Sequence, residues 1–282
     1  MKYIFTIATN VYTEYFNNFK NSINNFYPDD DKTLIVFSNK LQEYNNYQIR
    51  KTLVKIISIP NLLYTSINLN KFNFIEWISK KYGLNENTLI FFFDIDTWFY
   101  DNNKFALDNL NNIIETNKDK VIFSNHPYNL NIKQNELPMY IHGYINNENY
   151  MDPIEPKIFD NYSFAKYDLW CKDCITSFFC GTLKAIKELN IVFTNYYKEI
   201  IHSDRVIPQI CEEDIVNYIL LNQLINEIDK EYIYVTDDSI ININTNNIND
   251  KTITDDNERN ILVYNKLICN QKYNVNIKSK VK

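Results

Sequence analysis

The feature that most constrains the fold is the run LIFFF at residues 89–93, which leads directly into Asp94 and Asp96. Five consecutive large apolar residues leave a strand no polar face, so both of its faces must be covered by other elements. Sheets covered on both faces are typical of α/β proteins, in which helices pack on each side. The run therefore predicts an inner strand of such a sheet.

Strand-like and helical patterns alternate through the first part of the chain. Short apolar runs predict strands at residues 2–9, 32–38 and 53–59, and apolar groups at helical spacing occupy 11–26 and roughly 70–82. Strands that alternate with helices form parallel pairs through helical crossovers. We therefore expect an α/β fold with a mainly parallel central sheet.

The second half of the chain predicts helices at 182–202 and 212–228, followed by a late strand near 231–238. Beyond it lies an Asn-rich stretch of weak periodicity, which predicts a loop or low-complexity segment, and then a lysine-rich end. We expect one folded domain over residues 1–236 and, over 237–282, an Asn-rich segment with a basic C-terminal tail.

Composition excludes several classes of protein. A net charge of -6 argues against nucleic acid as a partner, and the three glycines, Gly83, Gly143 and Gly181, are too far apart for a phosphate-binding glycine loop. The first residues lack the basic and apolar segments of a signal peptide, and no apolar run is long enough to span a membrane. We expect a cytoplasmic or otherwise soluble intracellular protein.

Asp94 and Asp96 are candidate metal ligands because they follow a predicted buried strand. Ligands of open α/β sheets gather at the carboxyl ends of strands, and side chains one residue apart on an extended segment point the same way. Two such carboxylates suit a hard divalent cation, which binds oxygen ligands. The alternative is an ordinary strand end whose acids are solvated or paired.

The same D-I-D motif also resembles the first motif of aspartate-nucleophile phosphatases, with Asp94 as nucleophile and Asp96 as acid/base. Those enzymes carry Thr or Val two residues beyond the second Asp, whereas this chain has Trp98 there. The phosphatase remains an alternative reading of the motif.

Four motifs in order resemble glycosyltransferase family 6, the family of the blood-group A and B transferases and α-1,3-galactosyltransferase. The chain has a D-x-D, a His-Pro pair, an FFCGT sequence where the family has a turn entering a helix, and a downstream acidic pair. These motifs are Asp94 and Asp96, His126 and Pro127, residues 178–182, and Glu212 and Glu213. The resemblance covers roughly residues 3–236.

The resemblance implies a GT-A-type nucleotide-sugar-binding fold and a retaining, metal-dependent transfer of galactose or N-acetylgalactosamine from a UDP-sugar to a glycan hydroxyl. Asp94 and Asp96 would hold Mn²⁺, or another divalent cation, against the diphosphate. Three residues near the N-terminus would frame the uracil, and Lys71 would lie near the diphosphate and the donor sugar. The implied donor-binding residues are Phe5, Ile7, Tyr12, Lys71, Asp94, Ile175 and Ser177.

By the same resemblance, Glu213 is the catalytic carboxylate beside the anomeric carbon, and His126 and Glu212 contact the acceptor. The chain departs from the family at Lys71, where the family has Arg, and at Glu212, where it has Asp. Acids in the first turn of a helix are also favoured by the macrodipole alone, which is the structural alternative for the acidic pair. A non-catalytic carbohydrate-binding relative is the other functional alternative.

Overall fold

The computed structural model describes residues 1–41, 47–61, 64–99, 104–125, 174–202, 212–225, 227–237, 241–243 and 262–264. The strands are β1 Lys2–Ile7, β2 Lys32–Ser38, β3 Tyr47–Ile49, β4 Thr52–Ser58, β5 Leu89–Phe93, β6 Thr97–Phe99, β7 Val121–Asn125, β8 Cys174–Thr182, β9 Ile233–Val235, β10 Ile241–Ile243 and β11 Leu262–Tyr264. The helices are α1 Phe16–Ser22, α2 Tyr64–Leu69, α3 Lys71–Lys81, α4 Lys104–Thr116, α5 Leu183–His202 and α6 Glu212–Leu224.

The α/β class predicted from the sequence is confirmed. Eight strands form a mixed, mainly parallel sheet, and three short strands form a second sheet. Backbone contacts divide the chain into two compact units. The first comprises Met1–Asn61, Phe91–Ile113 and Ser239–Lys282, and the second comprises Leu62–Ile90 and Ile114–Asp238.

In the first unit the large sheet has the strand order β3-β4-β2-β1-β5. β1 runs parallel to β2, and β2 runs parallel to β4, whereas β3 is an antiparallel edge strand. Short 3-10 helices at Asn10–Tyr15 and Ile23–Asn25 flank α1, where the sequence predicts one continuous helix. The second sheet, in the order β10-β11-β6, also belongs to this unit.

The apolar run of β5 lies in the core of the first unit, as predicted. Its last four residues, Ile90 to Phe93, are each at most 1% exposed, so neither face of the strand meets solvent. The ring of Phe26 packs edge-on against Phe91 and Phe93, with ring centroids 5.0 and 5.1 Å away. Edge-to-face aromatic contacts of this kind stabilise a core beyond the area they bury.

In the second unit the strand order is β8-β7-β9, with β8 antiparallel and β9 parallel to β7. The ring of Phe179 on β8 contacts Phe72 on α3 and Phe123 on β7, at centroid distances of 5.1 and 5.5 Å. Phe72 also meets Phe193 on α5 at 5.2 Å. These rings join two helices to the sheet and form the core of the unit.

The turn that the resemblance implied at residues 178–182 is wrong, because these residues are part of β8. Seven of the nine residues of β8 are β-branched, aromatic or Cys, which favours a strand over a turn. The helix begins only after Thr182, whose Oγ1 accepts a hydrogen bond from the backbone N–H of Ala185 at 3.2 Å. This is the geometry of an N-cap, so Thr182 is both the last residue of β8 and the residue that caps the N-terminus of α5.

Among the helices that the structure describes, none combines the length and the apolarity that crossing a bilayer requires.

Candidate functional site

The two acids of the D-I-D motif follow β5 directly, but the segment that carries them is a turn. The strand ends at Phe93, and Thr97 donates both its backbone N–H and its hydroxyl to the carbonyl of Asp94, at 3.2 and 2.6 Å. The extended geometry that the sequence analysis assumed is therefore wrong. Both carboxylates belong instead to a tight turn that is closed by the first residue of β6.

The chemistry of these acids fits a hard divalent cation. Asp94 is partly exposed and Asp96 is buried, and both offer the carboxylate oxygens that such ions bind. Among the described residues, no group of three or more His, Cys, Asp or Glu side chains could hold a metal. Two carboxylates suit an ion that takes its remaining oxygen ligands from substrate phosphates and water.

The other residues predicted to contact the donor in the first unit lie on and just after β1. Phe5 is fully buried, and its ring stacks on Phe37 with centroids 6.2 Å apart, so it is a core residue here. Ile7 and Tyr12 are partly exposed, and the Tyr12 ring lies 6.2 Å from that of Tyr15. Of the three, only Ile7 and Tyr12 have side chains partly open to solvent.

The second unit contains a buried ion pair between two residues that the sequence analysis assigned to the site. Lys71, the first residue of α3, donates from Nζ to Oε1 of Glu212, the first residue of α6, at 2.6 Å. Their side chains are 2% and 7% exposed. A buried ion pair costs much of its Coulomb energy in desolvation, so stability alone is a weak reason for this one.

Thr176 on β8 connects this ion pair to Glu213. Its hydroxyl lies 3.1 Å from Oε1 of Glu212 and 3.3 Å from Oε2 of Glu213, and its backbone N–H donates to that same Oε2 at 3.1 Å. Lys71, Thr176 and the two glutamates thus form one hydrogen-bonded group, which we call the carboxylate cluster. The sequence motifs do not single out Thr176, although its place between Ile175 and Ser177 could have drawn attention to it.

Within the carboxylate cluster, Oε2 of Glu212 is buried and accepts no hydrogen bond from any residue that the structure describes. A buried carboxylate oxygen without a donor costs free energy, because it has lost its water and gained nothing in return. Exposed acids that serve only the helix macrodipole do not incur this cost. This oxygen is therefore an acceptor that the described residues leave unused.

The residues on either side of Thr176 are buried as well. Ile175 is 7% exposed and Ser177 is 6% exposed, and Ile175 pairs with Ser124 of the neighbouring β7. His126, which the resemblance assigned to the acceptor, lies outside the described residues.

Cys180, in the middle of the FFCGT sequence, can be excluded as a reactive group. The residue is fully buried, and burial raises the pKa of its thiol far above the ordinary value. A thiol protonated at neutral pH is neither a nucleophile nor a good metal ligand. Cys180 is therefore a core residue of β8.

Comparison of the chain with protein-family models and with curated proteins gives no match.

Proposed function

We propose that this protein is a retaining, metal-dependent glycosyltransferase of the GT-A type, which moves galactose or N-acetylgalactosamine from a UDP-sugar to a glycan hydroxyl. The carboxylate cluster is the observation that carries the proposal. The family resemblance assigns one reaction to Lys71, Glu212 and Glu213, which lie far apart in the sequence. In the structure Lys71 contacts Glu212 directly, and Thr176 contacts both glutamates.

The charge of the cluster suits a transition state that is positive at the sugar. The ammonium of Lys71 neutralises Glu212, so three ionised groups leave one net negative charge on two adjacent carboxylates. When the bond between the anomeric carbon and the diphosphate breaks, positive charge develops at that carbon. Glu213 would either attack it or stabilise it electrostatically, and both actions require an ionised carboxylate.

Glu212 would bind a sugar rather than react. Its Oε1 accepts a hydrogen bond from Lys71 and lies 3.1 Å from the Thr176 hydroxyl, and none of the described residues donates to its Oε2. A sugar hydroxyl is a donor of suitable strength, because hydrogen bonds to ionised groups are stronger than neutral ones. This supports the acceptor-binding role for Glu212.

Asp94 and Asp96 would hold the divalent cation, Mn²⁺ in our proposal, against the diphosphate of the donor. When bound, the cation supplies Lewis-acid stabilisation of the departing UDP. Ile7 and Tyr12 would contact the uracil, and Phe5 would support them from the core. Ile175 and Ser177 would contact the donor sugar.

The proposal predicts that the protein binds UDP more tightly with Mn²⁺ than without it. Because a lost metal-site group usually costs at least about tenfold in affinity, Asp94→Asn should weaken the Mn²⁺-dependent binding by that factor or more. The measurement is isothermal titration with UDP. The exposed Asp108→Asn on α4 removes the same charge from the same unit and should bind like the wild type.

Absence of UDP binding with and without Mn²⁺ would refute the proposal. Where binding is found, release of UDP from UDP-galactose and UDP-N-acetylgalactosamine measures turnover, with water or a glycan as acceptor. Glu213→Gln should lower this rate by about 100-fold or more, whereas the exposed Glu227→Gln should not.

The two alternative functions predict different outcomes. Binding of UDP without turnover in the wild type would indicate a carbohydrate-binding relative. Turnover of an aryl phosphate that is lost in Asp94→Asn would indicate a phosphatase.

A further inference from the structure

The pairing of β8 with β7 is interrupted where Thr176 lies. Phe123 pairs with Phe179, but the next residue of β7, Ser124, pairs with Ile175. Residues 176–178 therefore have no partner in β7 and form a bulge. Bulges of this kind redirect side chains and release backbone groups from the ladder, and they are common beside functional sites.

Helix α6 contacts the backbone of β8 at the bulge and next to it. Asn217 accepts a hydrogen bond from the N–H of Cys174 at 3.0 Å and donates to the carbonyl of the same residue at 3.0 Å. One helical turn earlier, Glu213 accepts the N–H of Thr176. Residues four apart lie on the same face of a helix, so Asn217 and Glu213 together fix the rotation of α6 against β8.

The backbone contact alone leaves the Glu213 carboxylate able to turn about its own bonds. The hydroxyl of Thr176 adds a second contact to the same oxygen, Oε2, and it also reaches Oε1 of Glu212. A hydroxyl has one proton and can donate to one acceptor at a time. Because Lys71 already donates to Oε1 of Glu212 at 2.6 Å, the Thr176 hydroxyl can donate to Oε2 of Glu213 without leaving Oε1 of Glu212 unpaired.

We propose that Thr176 is a positioning residue that holds the carboxylate of Glu213 in the orientation its reaction requires, through its hydroxyl and the bulged backbone N–H. This inference rests on the proposed function. Thr176 acts through Glu213 and does not touch the substrate. Misplacing a reacting group by about 1 Å can cost about 100-fold in rate, so a single hydroxyl can matter at this position.

The test compares Thr176→Val, which keeps the shape and loses the hydroxyl, with Thr176→Ser, which keeps the hydroxyl. For donor turnover, Thr176→Val should lower kcat by about 10- to 100-fold and leave KM for the UDP-sugar nearly unchanged, because substrate contacts remain. Thr176→Ser should restore most of kcat. An unchanged kcat in Thr176→Val, or equal losses in the Val and Ser variants, would overturn the inference.

Thr182→Val is the matched control on the same strand. Its hydroxyl caps α5 and donates to the carbonyl of Lys118 at 3.1 Å, away from the carboxylates. This variant should lose stability without losing kcat. A general loss of stability in β8 therefore cannot imitate the expected result.

A second measurement decides the inference even if the wild type shows no turnover and the proposed function fails. Urea unfolding of Thr176→Val, Glu213→Ala and the double variant gives the coupling between the two side chains. If Thr176 holds Glu213, the two substitutions should be less than additive, because each removes the same contact. Additive losses would overturn the inference independently of any activity.

Discussion

At the scale of single residues, Lys32 is the most unusual group outside the candidate site. It is the first residue of β2 and is 2% exposed, and its Nζ donates to the carbonyl of Tyr27 at 2.8 Å. Burial lowers its pKa to about 8, and Lys2 and Lys51 act in the same direction, whereas Asp30 opposes the shift. The folded protein thus holds a lysine whose charge is unfavourable.

Because of Lys32, we expect the free energy of unfolding to rise with pH. In the unfolded chain a lysine titrates near the ordinary value of about 10.4, whereas the folded pKa is about 8. Between these values the unfolded chain binds more protons, so raising the pH favours the folded state. Below the folded pKa the cost of the buried charge is fully present.

The measurement is the free energy of unfolding in urea at several pH values from 7 to about 10.4. The wild type should gain stability over this window relative to Lys32→Met, in which no charge is buried. Lys40→Met, at an exposed position, should follow the wild type. If the wild type and Lys32→Met show the same pH dependence, burying the charge of Lys32 does not destabilise the folded protein.

The sequence indicated some residues of the candidate site and not others, for a physical reason. Glu213, Glu212 and Lys71 could be singled out because their order and charge agree with the family motifs, and the structure brings their side chains together. Thr176 could not, because its importance comes from a bulge that removes it from the ladder with β7. Bulges depend on the pairing of two distant strands, which no local pattern encodes.

At the scale of elements, β8 requires Gly181 because the neighbouring backbone comes very close. A Cβ added there would lie 3.1 Å from the carbonyl oxygen of Lys120, which is tighter than ordinary van der Waals contact. The atom in the way is backbone and cannot swing aside, so the strands must separate. Gly181→Ala should therefore destabilise the protein by about 1–3 kcal/mol, the usual cost of overpacking.

The check is the urea midpoint of Gly181→Ala beside that of Gly83→Asn. Gly83 has a positive φ of 63° and no atom within 4 Å of an added Cβ. Asn tolerates this backbone conformation better than other residues with side chains, so Gly83→Asn should change stability little. A midpoint for Gly181→Ala as high as that of Gly83→Asn would contradict the steric argument.

Elements with a strong local pattern were predictable, and those formed by distant pairing were not. The strand predicted at 32–38 matches β2 in full, because residues 33–37 are apolar or β-branched and the whole strand is buried. β10 and β11 have three residues each and lie in or after an Asn-rich stretch that predicted a loop. They are strands because they pair with each other and β11 pairs with β6.

At the scale of the whole molecule, the first unit is assembled from three separate stretches of chain. The last of them, Ser239–Lys282, contributes β10 and β11 to the sheet that contains β6. β11 is antiparallel to β6, with Tyr264 opposite Thr97 and Leu262 opposite Phe99. The strand that follows the D-I-D turn, β6, therefore has its hydrogen-bonding partner in a strand from near the C-terminus.

This arrangement predicts that two shortened chains will differ sharply although their lengths are similar. A chain that ends after residue 260 lacks β11 and leaves the backbone groups of β6 without that partner, whereas a chain that ends after residue 265 keeps it. Each lost hydrogen bond contributes about 0.5–1.5 kcal/mol net. We therefore expect the shorter chain to be less stable by about 1–4 kcal/mol in urea unfolding.

The comparison with the chain that ends after residue 265 is the essential control, since both lack the lysine-rich end. Equal stability of the two shortened chains would show that β11 contributes nothing to the first unit. Because β6 begins at Thr97, which closes the turn of Asp94, loss of β11 should also weaken Mn²⁺-dependent UDP binding. Weaker binding in both chains to the same degree would instead assign the effect to the residues after 265.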